Sequence, residues 1–160
     1  MKTAALFGAA TELGAFLNEA SPDVITSLKT FGMRLGSAYQ IYDDCVDLAG
    51  DEEQVGKTLG SDLRKGKLTL PILYLLQQSS SDEWHRISQI ILEGDDNDVA
   101  RLVQQALDAG AVRNAVSTGR KFIREAADCL DIVPDNKYRH ALKQLVETLD
   151  AMIAPFGQQS

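Results

Sequence analysis

Disulfide chemistry has almost nothing to work with in this chain: its 160 residues carry only two cysteines, Cys45 and Cys129. Two cysteines make no disulfide framework, and a reducing cytoplasm is the simplest compartment. Aromatic side chains are scarce at 6%, so the core is expected to be mostly aliphatic. Long apolar runs are missing. The longest nearly apolar stretch, Leu68 to Leu76, is broken by Thr69 and Pro71, whereas a membrane-spanning helix needs roughly 20 apolar residues. Met1-Lys2-Thr3 has neither the basic region nor the cleavage site of a secretory signal. Positive charge is in deficit, with 16 Lys plus Arg against 23 Asp plus Glu leaving −7. A nucleic-acid binder carries the opposite footprint, so no nucleic-acid partner is expected.

What is present suffices for one globular domain: 44% hydrophobic and 24% charged residues. The periodicity is helical almost everywhere. Apolar residues recur at intervals of three and four from Ala4 to Leu17, with no capping residue before Lys2, so this helix reads as cut off at its start. Ser21-Pro22-Asp23 opens a second helix with a capping Ser and a Pro at the first position. It runs to Leu48, roughly 39 Å at 1.5 Å per residue. A polar, glycine-punctuated stretch, Gly50 to Lys67, follows as the candidate functional loop. Further helices are expected over Thr69 to Gln78, Asp82 to Leu92, Asn97 to Ala109, Ala111 to Asp128 and Asn136 to Ile153. The reading is a single all-α domain, residues 1–160, a bundle of six or seven helices.

Chemistry concentrates in Gly36 to Asp47. On a helix at 100° per residue, Gln40, Asp43, Asp44 and Asp47 fall within about 100° of one another. Leu28, Phe31, Leu35, Tyr39, Tyr42 and Val46 form a partly separate apolar stripe for packing. Neighbouring carboxylates repel by roughly 1 kcal/mol per pair in water and about 4 kcal/mol near a protein surface. A hard divalent cation relieves that repulsion, and carboxylate oxygens suit Mg²⁺, which usually completes its shell with water and substrate phosphate. Directly downstream, Gly56 to Pro71 sets Lys57, Arg64, Lys65 and Lys67 in a glycine-rich loop. Carboxylates for a metal, cations for phosphate oxygens and glycines for close backbone approach are the parts of a metal–phosphate site.

In these segments the chain resembles the trans-isoprenyl diphosphate synthases, or polyprenyl synthetases. Gly36 to Asp47 matches the family's second aspartate-rich motif, G-x-x-[FY]-Q-x-x-D-D-x-x-D. Gly56 to Pro71 matches its continuation, G-K-x-x-G-x-D-x-x-x-G-K-x-T-x-P, and Lys2-Thr3 looks like the family's Lys-Thr pair at a helix start. The resemblance implies the C-terminal half of an all-α isoprenoid synthase fold, in an enzyme that elongates an allylic diphosphate with isopentenyl diphosphate. It implies that Mg²⁺ bridges the aspartates and the allylic diphosphate, which departs to leave an allylic cation. The isopentenyl double bond then attacks, and a proton is lost. Asp43, Asp44 and Asp47 would form the metal side, Asp43 as a direct ligand and the others partly through metal-bound water. Lys2, Lys57 and Lys67 would contact the diphosphate, while Thr3 and Gln40 would line the site near the reacting carbons.

Family members are about twice this length and carry a first aspartate-rich motif that is missing here. The chain is therefore expected to be inactive alone. It would associate with the missing N-terminal half or form a homodimer, as family members commonly do. The alternative is a non-catalytic or regulatory half-length subunit whose partner supplies the first motif.

The other acidic cluster, Glu93 to Asp98, sits at a helix start, where Asp96 or Asn97 is expected as the N-cap. His85 and His140 have no partner at metal-ligand spacing and read as surface or boundary residues. Negative charge around Cys45 should keep its thiol protonated. Cys129 and Trp84, the latter with Ile87, Ile90 and Ile91, read as core.

Overall fold

A computed structural model describes residues 2–50 and 59–158. Every regular element in them is helical: α1 (Lys2–Leu17), α2 (Pro22–Ala49), α3 (Ser61–Arg64), α4 (Leu70–Gln78), α5 (Ser81–Glu93), α6 (Asp96–Asp108), α7 (Ala111–Asp128), α8 (Lys137–Ile153) and a terminal 3₁₀ turn, Ala154–Gly157. No strand occurs among the described residues, and no helix there is long and apolar enough to cross a membrane. The chain divides into two compact units where the sequence reads as one domain. The first comprises Met1–Gln40 and Thr118–Ala154, the second Ile41–Ser117 and Pro155–Ser160, so α2 and α7 each contribute to both.

In the first unit, α1 and the first part of α2 approach almost backbone to backbone. A Cβ on Gly36 would lie 2.8 Å from the Ala4 Cα, and one on Gly8 would lie 2.8 Å from the Met33 Cγ. A Cβ on Gly32 would collide with the Phe7 carbonyl. Small residues permit the approach, and hydrogen bonds fix its register. The Thr11 hydroxyl donates to the Leu28 carbonyl at 2.6 Å, and the Ser27 hydroxyl donates to the Cys129 carbonyl at 2.7 Å. Arg34 pairs with Glu125 at 3.0 Å and lies over the Phe122 ring. Arg120 grips Asp150 through two bonds of 2.8 and 2.9 Å, which ties α7 to α8.

The second unit is organised around α6, which packs against α3, α4 and α5. Leu63, Ile72, Leu75, Ile87, Leu102 and Val103 are among its buried core. Val99, Leu102, Val103 and Ala106 recur along α6 at the three-and-four spacing of a helix that buries one face. Leu48, near the end of α2, reaches the same core.

Several boundaries differ from the sequence reading for local reasons. The stretch expected to be irregular contains the one-turn helix α3. Thr69 is the N-cap of α4 rather than part of it, Pro71 falling in the first turn as expected. Helix α5 starts at Ser81, behind a capping box in which Ser80 and Glu83 satisfy each other's backbone N–H groups. The N-cap of α6 is Asp95, not Asp96 or Asn97: its extended backbone lets Oδ1 accept from the N–H groups of both Asn97 and Asp98 at 2.9 Å. Trp84 is not core. It is 47% exposed while Ile87 on the same helix is fully buried. Cys129 is only half-buried, its thiol donating to the Glu125 carbonyl.

Candidate functional site

The long helix α2 buries Phe31, Leu35, Ala38, Ile41, Cys45 and Leu48. The buried stripe is therefore rotated from the expected one: Tyr39 is exposed, and Leu28, Tyr42 and Val46 are half-buried. That rotation splits the acidic face. Asp43 is exposed, Asp47 half-buried, and Asp44 only 6% exposed.

Asp44 is tolerated in the interior because polar groups meet it. Its Oδ2 accepts from the Leu70 N–H at 3.3 Å, and the Lys67 ammonium lies 3.6 Å from Oδ1. Leu70 is the first residue of α4, so the carboxylate sits at the positive end of that helix. Thr69 makes no side-chain cap there; its hydroxyl is buried and has no hydrogen-bond partner.

Asp47 is tied to a turn. Its Oδ1 accepts from the Ser61 hydroxyl at 2.7 Å and its Oδ2 from the Asp62 N–H at 3.1 Å. Its backbone carbonyl accepts from the Gly60 N–H at 2.7 Å. Gly60 has φ +72°, a left-handed backbone that side chains other than glycine's rarely adopt, and a Cβ there would press on Val99 and Val103. This turn starts α3. Asp62 in turn accepts twice from Lys67: its Oδ2 lies 2.6 Å from the Lys67 Nζ, and its carbonyl accepts the Lys67 N–H at 2.9 Å. Its hydrogen bond to Asp62, opposed by partial burial and aided by the charges of Asp44, Asp62 and Asp43, holds the Lys67 ammonium above the ordinary lysine range. Arg64 anchors the far end of α3, bonding the Leu59 carbonyl and Asp96.

Of the residues singled out from sequence, Asp44, Asp47 and Lys67 thus meet one small network in the second unit, with exposed Asp43 beside it. In the first unit the Thr3 hydroxyl donates to the Gln40 Oε1 at 3.0 Å, and Lys2 is exposed at the start of α1. Lys57 lies outside the described residues. Ser61 and Asp62 were not singled out as site residues; the signal for them was the G-x-D of the loop motif, Gly60 to Asp62. Cys45 is held protonated, its thiol pushed up to about 12, by burial first and by Asp44 second. His85 and His140 are exposed, as their isolation in sequence indicated.

Among the described residues, no three or more His, Cys, Asp or Glu side chains come together to hold a metal ion. The donors are nonetheless all oxygen. Asp43 is exposed, and both oxygens of Asp47 and of the buried Asp44 serve protein groups. One or two carboxylates plus substrate phosphate are the usual protein share of a Mg²⁺ shell, so the residues fit that ion better than a closed all-protein cage.

A family model described as polyprenyl synthetase matches residues 1–109. The chain is 35% identical over 146 residues to the short chain isoprenyl diphosphate synthase of Methanothermobacter thermautotrophicus, covering 91% of this chain and 45% of that protein. It is 35% identical over 146 residues to the heptaprenyl diphosphate synthase component 2 of Geobacillus stearothermophilus, covering 90% and 44%. The crystal structure of polyprenyl synthase from Caulobacter crescentus, complexed with calcium and isoprenyl diphosphate, superposes with a TM-score of 0.83 at 29% identity, covering 99% of this chain and 47% of that one. The chain thus spans about half the length of the relatives it matches, and its helices follow the all-α fold of those synthases.

Proposed function

Because the chain belongs to the polyprenyl synthetase family, we propose that it works in a prenyltransferase that elongates an allylic diphosphate with isopentenyl diphosphate. It would supply the part of the site built on the second aspartate-rich motif. The observation that carries this reading is the Lys67 ammonium held between Asp62 and Asp44, beside exposed Asp43. A carboxylate for a divalent cation and a fixed cation for the remaining phosphate oxygens then lie side by side.

Asp43 would hold Mg²⁺, with Asp44 and Asp47 behind it; when bound, the ion neutralises charge on the leaving diphosphate. Lys67, Lys57 and Lys2 bind diphosphate oxygens, and cations fixed there favour departure of the electron pair as the carbon–oxygen bond breaks. Thr3 and Gln40, locked by their mutual hydrogen bond, line the side of the reacting carbons. The first aspartate-rich motif and the isopentenyl diphosphate pocket come from outside these 160 residues. A second reading is a non-catalytic or regulatory subunit whose partner carries the first motif. It is favoured by a relative named as one component of its synthase.

Titration calorimetry with pyrophosphate, with and without Mg²⁺, tests the shared site. Ion and anion should bind together more tightly than either alone, and equal affinities would overturn it. The 160 residues alone should not elongate farnesyl diphosphate with radiolabelled isopentenyl diphosphate. Holding two reactants in attack geometry contributes roughly 7–11 kcal/mol, which part of a cavity does not supply. Robust elongation without a partner would refute the half-site assignment.

A further inference from the structure

We propose that Asp47 is a positioning residue: its carboxylate clamps the turn at Gly60 to Asp62, and the clamped turn holds the Lys67 ammonium beside Asp44. The inference rests on the diphosphate-site reading above and assigns the third aspartate of the motif a task distinct from that of Asp43. Both carboxylate oxygens of Asp47 are taken by that turn, one by the Ser61 hydroxyl and one by the Asp62 N–H. The Asp47 carbonyl receives the Gly60 N–H as well, so three bonds from one residue fix three successive positions. Asp62 passes the order onward. Its side chain lies 2.6 Å from the Lys67 Nζ and its carbonyl accepts the Lys67 N–H. Leu63, buried between these points, and Arg64, bonded to Asp96, keep the turn of helix from rotating.

A lysine side chain has four rotatable bonds, and an ammonium left to wander meets an anion only at an entropic cost. Held at 2.6 Å from Asp62 and 3.6 Å from Asp44, it is oriented before any anion arrives. Preorganised charge of this kind does not have to reorganise when charge develops on the anion. The carboxylate of Asp47 contributes by holding the backbone that carries this cation.

The test uses the 160-residue chain and two readouts. Amide hydrogen exchange, followed by NMR without ligand, compares wild type with Asp47→Asn and Ser61→Ala. Exchange at Asp62 and Lys67 should quicken about tenfold while the Leu73 N–H, bonded to the carbonyl of the α4 N-cap, Thr69, stays protected. An unmoved Lys67 N–H, or equal acceleration at Leu73, overturns the proposal. Affinity for pyrophosphate with Mg²⁺ is then measured in both variants, in the double variant and in Ser61→Thr. Each single change should weaken binding about tenfold, the double no further, and Ser61→Thr should restore it, since residues acting through one contact are not additive. Losses that multiply toward a hundredfold would show Asp47 acting on the ion independently of the turn, and would overturn the clamp. Wild type that binds pyrophosphate equally with and without Mg²⁺ defeats the diphosphate-site reading instead, and leaves the clamp to be decided by exchange.

Discussion

Asp43, Asp44 and Asp47 at the end of α2, and Asp95, Asp96 and Asp98 at the start of α6, are acidic triplets of the same unit with different surroundings. Asp95 caps its own helix, accepting from N–H groups two and three residues ahead. Asp96 is exposed and meets Arg64 at 2.7 Å. Asp47 and Asp44 also cap helices, but distant ones: their partners lie 15 and 26 residues further along the chain. Local capping steadies a helix and ends there. Capping at a distance makes the order of a turn depend on a carboxylate beside the proposed diphosphate site, so on that reading fold and chemistry share the same side chains.

Turnover should break the symmetry most sharply. In an assembly that elongates prenyl chains as proposed above, Asp43→Ala is expected to lower the rate by roughly 10²–10³, while Asp95→Ala leaves it within a few-fold. Equal losses in steady-state assays would erase the distinction between the triplets. Next comes stability. Asp44→Ala leaves the half-buried Leu70 N–H without its acceptor and removes one of the two carboxylates beside Lys67, and should cost about 1–3 kcal/mol in urea unfolding. Asp95→Ala should cost about 1 kcal/mol, the usual value of a lost N-cap. Asp96→Ala removes an ion pair whose carboxylate is largely in water and should fall within about 0.5 kcal/mol of wild type; a larger loss would mean that Arg64 depends on it.

The smallest effect is at high pH. The Lys67 pKa is raised above its ordinary value near 10.5, chiefly by the bond to Asp62. Its contribution to stability is therefore fully present below that value and fades as pH rises through the elevated one. Acylation of Lys67, read by mass spectrometry near pH 10, should accelerate in Asp62→Asn. An unchanged rate would detach Lys67 from that network.

Helix periodicity made α1, α2 and α6 to α8 legible because each carries apolar residues at three-and-four spacing. The motif likewise pointed to Asp43, Asp44, Asp47 and Lys67. What it could not show was rotation about the α2 axis. Tyr39 and Tyr42 looked like core by hydrophobicity, whereas Ala38, Ile41 and Cys45 are the ones inside. That choice is made by close packing, in which shape outranks apolar character. Helix α3 was illegible for a different reason. Four residues carry no periodicity, and their order comes from a carboxylate on another helix. Trp84 shows the converse error, since its indole was assigned inward by spacing when only Ile87 had to be buried.

The glycine seam between α1 and α2 also bears on how such a chain can drift. In a saturation scan, Gly32 and Gly36 should tolerate substitution as poorly as Asp43, although neither offers a side-chain donor, acceptor or charge. A Cβ at either would part the two helices, and with them the Thr3 hydroxyl from the Gln40 amide. Intolerance at such positions records a distance between backbones, and a fitness map alone would mistake it for chemistry. Leu6, Leu13 and Phe16, on the exposed side of α1, are where the same scan should find room to vary within the first unit.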